Sequence, residues 1–560
     1  MFGGAMILAF EFNYISKNGI LENLLKEIVV DYNINHKILR KDSIVTLYVE
    51  DEEVRLLAFA EHLSTMLPLS IFFKSSSVQV IDVWPTDEET LPTSAYSVEF
   101  TPKLLALVDS QDSEHYLSPF PLKEGSKEIH LIKDTETLIC AKSAEDYKKT
   151  FEMIVQTLQS GKCVSIQTKN GYFSYGAIEN LPAQCRDFEV IATDLSVVER
   201  MVVCRENELK ALATIERPAI RFKVNALYAQ KEILSTARVM LRLADDLFLY
   251  QLCKHLFAHG IHFLFKTSSQ AIVTESRISY DVQGSALEPL VISVLENGVI
   301  LVVNGSSYAT PSLKESLRKF DEPSHGAYAS ILQEHQLFDA ISTCFYLSRF
   351  HDDRFMHYSK EHGMLNLVGF NLPRSFAELF GEIERSSPSA ERLVANYKEQ
   401  FPEIYAKALM IPIPETLPKS IYSLFKIASI VLGLSDDFET SAEQLIENAE
   451  NYGGQKGPRI DYYLEKEDAL HSDFDYVRMI RSSISYKLAG TDNVTLSFGY
   501  MESLSFFLSD MADTHRENLS ASHMALAGSL FGYKRLTEML FKNLKPNHTI
   551  CFNRELPIDQ

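Results

Sequence analysis

Between residues 5 and 83 the apolar spacing alternates between two periods, and the order of that alternation restricts the folds open to the chain. "AMILAFEF" is strand-like, "GILENLLKEIVVDY" places its apolar residues at helical spacing, and "DSIVTLYVED" alternates as a half-buried strand. "EVRLLAFAEHL" is helical again, and "SSVQVIDVW" ends the segment as a strand. A β-α-β-β-α-β order predicts a small ferredoxin-like sandwich.

The other blocks follow from the length. At 560 residues the chain exceeds one ordinary core, so three or four domains are expected. A polar linker containing Pro85, Pro92, Pro102, Pro119 and Pro121 ends near Lys127. From about 131 to 290, short strands such as "KCVSIQT", "FEVIAT" and "PAIRFKV" alternate with helices such as "AEDYKKTFEMIVQTLQ", which reads as an α/β unit. The remainder opens on a strand pair, "LVISVLENGVILVVNG", and then reads as strongly helical, with strand signals returning only near the C-terminus. There is no internal repeat.

Charge and cysteine content narrow the function classes. A net charge of -21 argues against a nucleic-acid binder, which needs a basic footprint. No signal sequence opens the chain. The apolar stretch "IYSLFKIASIVLGL" (421–434) carries Lys426, is too short to span a bilayer, and reads as a buried helix. The seven cysteines form no C-x-x-C pair, which predicts buried free thiols in a reducing cytoplasm and no structural zinc. A soluble cytoplasmic protein without membrane or nucleic-acid partners is the expectation.

Two stretches carry a family resemblance. "FEVIATDLSVVERMVVCRENELKALATIERPAIRFKV" (188–224) resembles the YrdC-like segment of HypF, the carbamoyltransferase that prepares the cyanide ligands of [NiFe] hydrogenases. "SLFKIASIVLGLSDDFETSAEQLIENAE" (423–450), followed by "FDYVRMIRSSIS" and "LAGSLFGYKRLTEML", resembles the second half of its TsaD-like domain. The resemblance implies a multidomain α/β and α+β protein. Residues 1–85 would be acylphosphatase-like, and 86–130 the remnant of a zinc-finger segment without cysteines. Residues 131–290 would be YrdC-like, and 291–560 TsaD-like with an actin-type nucleotide cleft, truncated at its C-terminus.

Catalysis in that family demands particular side chains, and most are replaced here. Gripping an acyl phosphate calls for an arginine in the first loop, yet "NYISKNG" has none and the first arginine of the chain is Arg40. Residues 86–130 lack cysteine, so the resemblance implies no zinc finger, and His115 reads as a surface residue. Gln167 stands where the YrdC-like lysine is expected, and Lys162, Lys169 and Arg186 are the substitutes at hand. His325 falls on one ligand position of the TsaD-like metal site, but its partner is Ala327. Asp559 falls on the metal aspartate. The cluster His351, Asp352, Asp353, His357 and His362 reads as an exposed loop, since its spacing matches no compact metal signature.

Glu439 occupies the ribose-side position, and Gly528 with Ser529 replaces a pair of phosphate-turn glycines. Lys534 and Arg535 read as the solvated face of the following helix. The expectation is a non-catalytic HypF-like accessory protein that binds a hydrogenase large-subunit precursor or another maturation protein, with no cofactor of its own. On that reading Glu439→Ala and Gly528→Val variants would both be silent. The alternative is a divergent ATP-dependent carbamoyltransferase using Mg and the C-terminal cleft.

Overall fold

The computed structural model describes residues 6–89, 100–109 and 129–554, except for 134–135, 142–143, 169–170, 235, 270–271, 281–288, 306–314, 316, 467–471 and 545. The chain divides into two compact units, Met1–Val294 with Asn304–Thr310, and Leu295–Val303 with Pro311–Gln560.

The first unit begins with the sandwich. Strands β1 (Met6–Tyr14), β2 (Asn35–Lys41), β3 (Ile44–Asp51) and β4 (Phe73–Ile81) form an antiparallel sheet in the order β2-β3-β1-β4. Helices α1 (Ile20–Tyr32) and α2 (Glu53–Met66) connect them. The register aligns Phe10 with Leu47 and Leu47 with Ile38, so one face of the pleat is continuously apolar. Phe10 meets Phe59 of α2 edge-on at 6.0 Å.

A larger mixed sheet follows in the same unit. Its strands run in spatial order Val291–Val294, Ala219–Val224, Arg238–Leu243, Glu189–Ala192, Phe263–Thr267, Gly171–Ala177, Cys163–Thr168, Thr274–Tyr280, Ile129–Lys133 and Glu136–Ala141. Helices Ala144–Gln159 and Leu247–Ala258 pack on it through Phe151, Phe248, Leu252 and Leu256, all buried. A buried carboxylate ties sandwich and sheet together. Glu216 accepts from Ser70 Oγ at 2.5 Å and from the Ile71 backbone N at 3.1 Å.

The second unit corrects the helical reading of its first half. Three strands lie there: β5 (Ser342–Tyr346), β6 (Arg354–Ser359) and β7 (Gly363–Gly369). With β8 (Leu464–Lys466), β9 (Ser472–Phe474), β10 (His523–Ala527) and β11 (Thr549–Cys551) they form a sheet in the order β8-β9-β7-β6-β5-β10-β11. Helix α3 (Pro323–Glu334) joins Cys344, Tyr346 and Met356 in one core. Phe345, Phe355 and Val368 join the other, with α4 (Ile421–Val431), α5 (Ser441–Asn451), α6 (Tyr476–Leu488), α7 (Asn493–Leu519) and α8 (Lys534–Leu544). Strands covered on both faces lose the alternation that betrays them in a sequence. The 421–434 stretch forms α4, every residue of which is buried.

Among the described residues no helix is long and apolar enough to cross a membrane. Cys163, Cys185, Cys204, Cys253, Cys344 and Cys551 are free thiols, and each of them except Cys204 is buried.

Candidate functional site

Gly528 and Ser529 lie at the end of β10, where the chain turns toward α8. Gly528 has φ +97°, and a Cβ there would sit 2.1 Å from the carbonyl oxygen of Leu347. That backbone is fixed, because Leu347 N donates to Ala527 O at 2.9 Å and Leu347 O accepts from Leu530 N at 3.1 Å. The glycine is therefore required by the fold whether or not a ligand approaches it. Expecting Gly528→Val to be silent is corrected by this contact.

Ser529 Oγ accepts a hydrogen bond from the backbone N of Arg349 at 2.9 Å. Arg349 belongs to the β5–β6 connection, the glycine-free turn of the sequence, and its side chain reaches Glu443 of α5 at 2.8 Å. The same Glu443 oxygen accepts from Tyr533 Oη at 2.6 Å and from Tyr422 Oη at 2.9 Å. The guanidinium carbon stands 5.3 Å from the Tyr422 ring centre, 5.4 Å from Phe350 and 5.9 Å from Tyr533. Its Nε is buried without a hydrogen-bond partner.

The electrostatics follow from this packing. Burial alone would lower the Arg349 pKa, but Tyr533 and Glu443 outweigh it and leave a net rise. Burial, reinforced by the Glu443 charge, pushes the Tyr422 and Tyr533 phenols upward, so both remain donors at neutral pH. Together these residues give the turn beside Gly528 and Ser529 a cation, a carboxylate and three rings of the chain itself, with Arg349 paired to Glu443 and Glu443 holding three donors.

Glu439 is largely exposed and pairs with Lys426 at 2.8 Å, in the turn that precedes α5 and four residues before Glu443. Sequence reasoning selected Glu439 and missed Glu443. The available signal was a lone arginine in a turn with no glycine, which needs a buried carboxylate if it points inward. Arg535 is half-buried rather than solvated: it lies 5.0 Å over the Phe498 ring and donates to Gly454 O at 3.4 Å.

Of the two expected metal residues, His325 is among the described ones. His325 lies in the first turn of α3, half-buried, and Ala327 is buried in the core. Asp559 and His115 lie outside the described residues. The 351–362 cluster is not an exposed loop. Asp353 is fully buried and accepts from Ser348 N at 2.8 Å and Ile421 N at 2.6 Å, while His357 is buried on β6. Among the described residues no three His, Cys, Asp or Glu side chains are placed to hold a metal ion.

In the sandwich, Arg40 does return to the first loop, from β2. It donates to Tyr14 O at 2.8 Å, to Ser16 O at 2.7 Å and to Asp42 O at 3.0 Å, and pairs with the buried Glu22 at 2.7 Å. In the larger sheet Gln167 accepts from Tyr172 Oη at 2.7 Å, and Lys162 pairs with Glu275 at 3.1 Å. Arg186 is exposed, and Lys169 lies outside the described residues. Two buried cations that the sequence did not flag, Arg242 and Lys266, share Glu189 and Asp245 at 3.2–3.7 Å.

Comparison with known proteins places this architecture. No family model matches the chain. It is 26% identical over 529 residues to Protein HydE of Wolinella succinogenes, covering 91% of both chains. It is similar to a full-length HypF structure in the phosphate- and nucleotide-bound form, with TM-score 0.65, 13% identity, and 99% and 96% of the two chains covered. It is also similar to a T. kodakarensis HypF structure, with TM-score 0.64, 12% identity, and 99% and 97% of the two chains covered. The chain therefore has the HypF fold along its whole length, a multidomain α/β and α+β architecture.

Proposed function

We propose that this chain acts in [NiFe] hydrogenase maturation as a HypF-like accessory protein that binds its partner instead of performing carbamoyl transfer. The observation that carries the reading is the Arg349–Glu443–Tyr422–Tyr533 cluster, in which the cation beside the Gly528–Ser529 turn is paired within the chain. A HypF fold kept along the chain, with the residues the family uses for catalysis replaced, supports a role carried by its surface. The partner would be a hydrogenase large-subunit precursor or another maturation protein.

The test has two arms. Deleting the gene should lower hydrogenase activity, and a Glu439→Ala variant should restore it fully, because that side chain is exposed and holds only Lys426. The purified chain should neither gain thermal stability with Mg-ATP nor release phosphate or pyrophosphate from it. Turnover of ATP that is abolished by Glu443→Gln would replace this reading with the carbamoyltransferase.

A further inference from the structure

The segment Lys456–Tyr463 runs beside α7 and encloses, with α6, a pocket of about 610 Å³. Its backbone is fastened to the helices by side chains. Gly457 N donates to Glu502 at 2.8 Å, Ile460 N to Ser503 Oγ at 2.9 Å, and Asp461 N to Ser482 Oγ at 3.0 Å. Gly457 also abuts Gly499 so closely that a Cβ on it would meet the Gly499 backbone at 2.6 Å. The pocket wall is thus set before anything binds, which reduces the ordering cost of association.

Its contents are those of a protein-binding hot spot. Tyr463 is 52% and Phe506 53% exposed, and both line the same pocket, as paired aromatic anchors do. Arg478 stacks 4.3 Å over the Tyr463 ring, which holds that ring in place.

The charge is distributed unevenly. Lys456 and Arg459 are exposed and make no ion pair among the described residues, in a chain of net charge -21. Glu502 is occupied by Gly457, and Asp461 faces Arg478 at 3.9 Å. Asp510, exposed and without a counter-ion among the described residues, lies eight residues beyond Glu502 on α7, or about 12 Å along the helix axis. An extended segment covers that distance in about four residues.

We propose that this pocket docks a short extended segment of a partner protein. The segment carries an acidic residue against Lys456 and Arg459 and a large apolar residue between Tyr463 and Phe506. Asp510 disfavours a second acidic residue at the far end. The inference rests on the binding reading above and names where that binding occurs.

Fluorescence polarisation with the full chain tests it, using fluorescein-labelled peptides that carry a single Asp-Asp-Phe-Gly, Lys-Lys-Phe-Gly or Asp-Asp-Ala-Gly sequence followed by glycines. The first should bind at least tenfold more tightly than the other two and weaken with added salt. The double variant K456E/R459E and the single variant F506S should each lose at least tenfold for the first peptide, with unchanged melting temperatures. Equal binding of the three peptides, or variants that bind like the parent, overturns the proposal. Capture of hydrogenase subunits by tagged protein separates the two levels. If the parent captures them and the variants do not, the pocket is supported. If the variants capture them equally, the pocket is wrong and the accessory role stands. If the parent captures none, the accessory role fails, and the peptide measurements still decide the pocket.

Discussion

Replacing Gly528 by alanine should be among the more damaging single changes in the second unit, even though it adds only one methyl group. The added Cβ would lie 2.1, 2.5 and 2.8 Å from the O, C and N of Leu347, all of them backbone atoms. Three costs combine. Holding a side chain at φ +97° and ψ 148° costs roughly 1–3 kcal/mol, since that region belongs almost entirely to glycine. Relieving the overlap costs roughly a further 1–3 kcal/mol. Moving Leu347 strains its bonds to Ala527 and Leu530, together on the order of 1 kcal/mol or more. The total is about 3–7 kcal/mol, and a unit of this size loses about 2–4 °C per kcal/mol, so the melting transition should fall by about 6 °C or more. Thermal unfolding followed by circular dichroism measures this directly. Ser529→Gly, which recreates a glycine pair, is the control: it removes only the bond from Arg349 N and should cost about 1 kcal/mol. If Gly528→Ala melts within a degree or two of the parent, the glycine is retained for some reason other than the backbone contact.

Other consequences are equally specific. Glu443→Gln leaves Arg349 without its anion and weakens both tyrosine contacts; denaturant titration should show a loss of about 1–3 kcal/mol. His515, buried between His357 and His548, has its pKa lowered to about 4, mainly by burial. The unfolded chain then binds a proton below pH 6.5 that the folded chain refuses, so stability is complete above pH 6.5 and declines toward pH 4. The decline should reach about 3 kcal/mol and be diminished in His515→Phe; an identical acid limb in that variant would show the wrong histidine was chosen. Arg40→Met should destabilise the sandwich by about 3 kcal/mol or more in urea, because it leaves the buried Glu22 carboxylate without its cation.

The sandwich was legible from the order of its strand-like and helix-spaced segments; Ile7 to Phe10 are buried without a break, and within "DSIVTLYVED" a period-2 pattern survives only from Leu47 to Glu50. The β5–β7 strands were not. Cys344 and Tyr346 pack toward one core and Phe345 toward the other, and the resulting run has no alternation to detect. The candidate site divides the same way. Gly528 and Ser529 were found from a local motif, whereas Glu443, Tyr422 and Tyr533 matter only through contacts across 90 or more residues of chain or between separate helices. Arg40 illustrates the limit most directly: it is absent from the first loop in sequence, yet it is bonded to that loop in space.

A common chemistry links these long-range contacts. A buried cation is tolerated only when a carboxylate or ligand anion compensates it, since the uncompensated charge costs several kcal/mol. The buried Arg242 and Lys266 are compensated by Glu189 and Asp245, the partly buried Arg40 by Glu22, and Arg349, whose side chain is 35% exposed, by Glu443. In each of these places a carboxylate of the chain meets the cation, and on the binding reading proposed above the Arg349–Glu443 pair sets a condition for nucleotide binding at this turn. Adding glycines to the β5–β6 turn cannot by itself create a nucleotide site, because Glu443 would still hold Arg349. Pairing such glycines with Glu443→Ala should be the minimum change that lets Mg-ATP raise the melting temperature. A thermal shift produced by the glycines alone would mean that Glu443 does not hold the cleft closed.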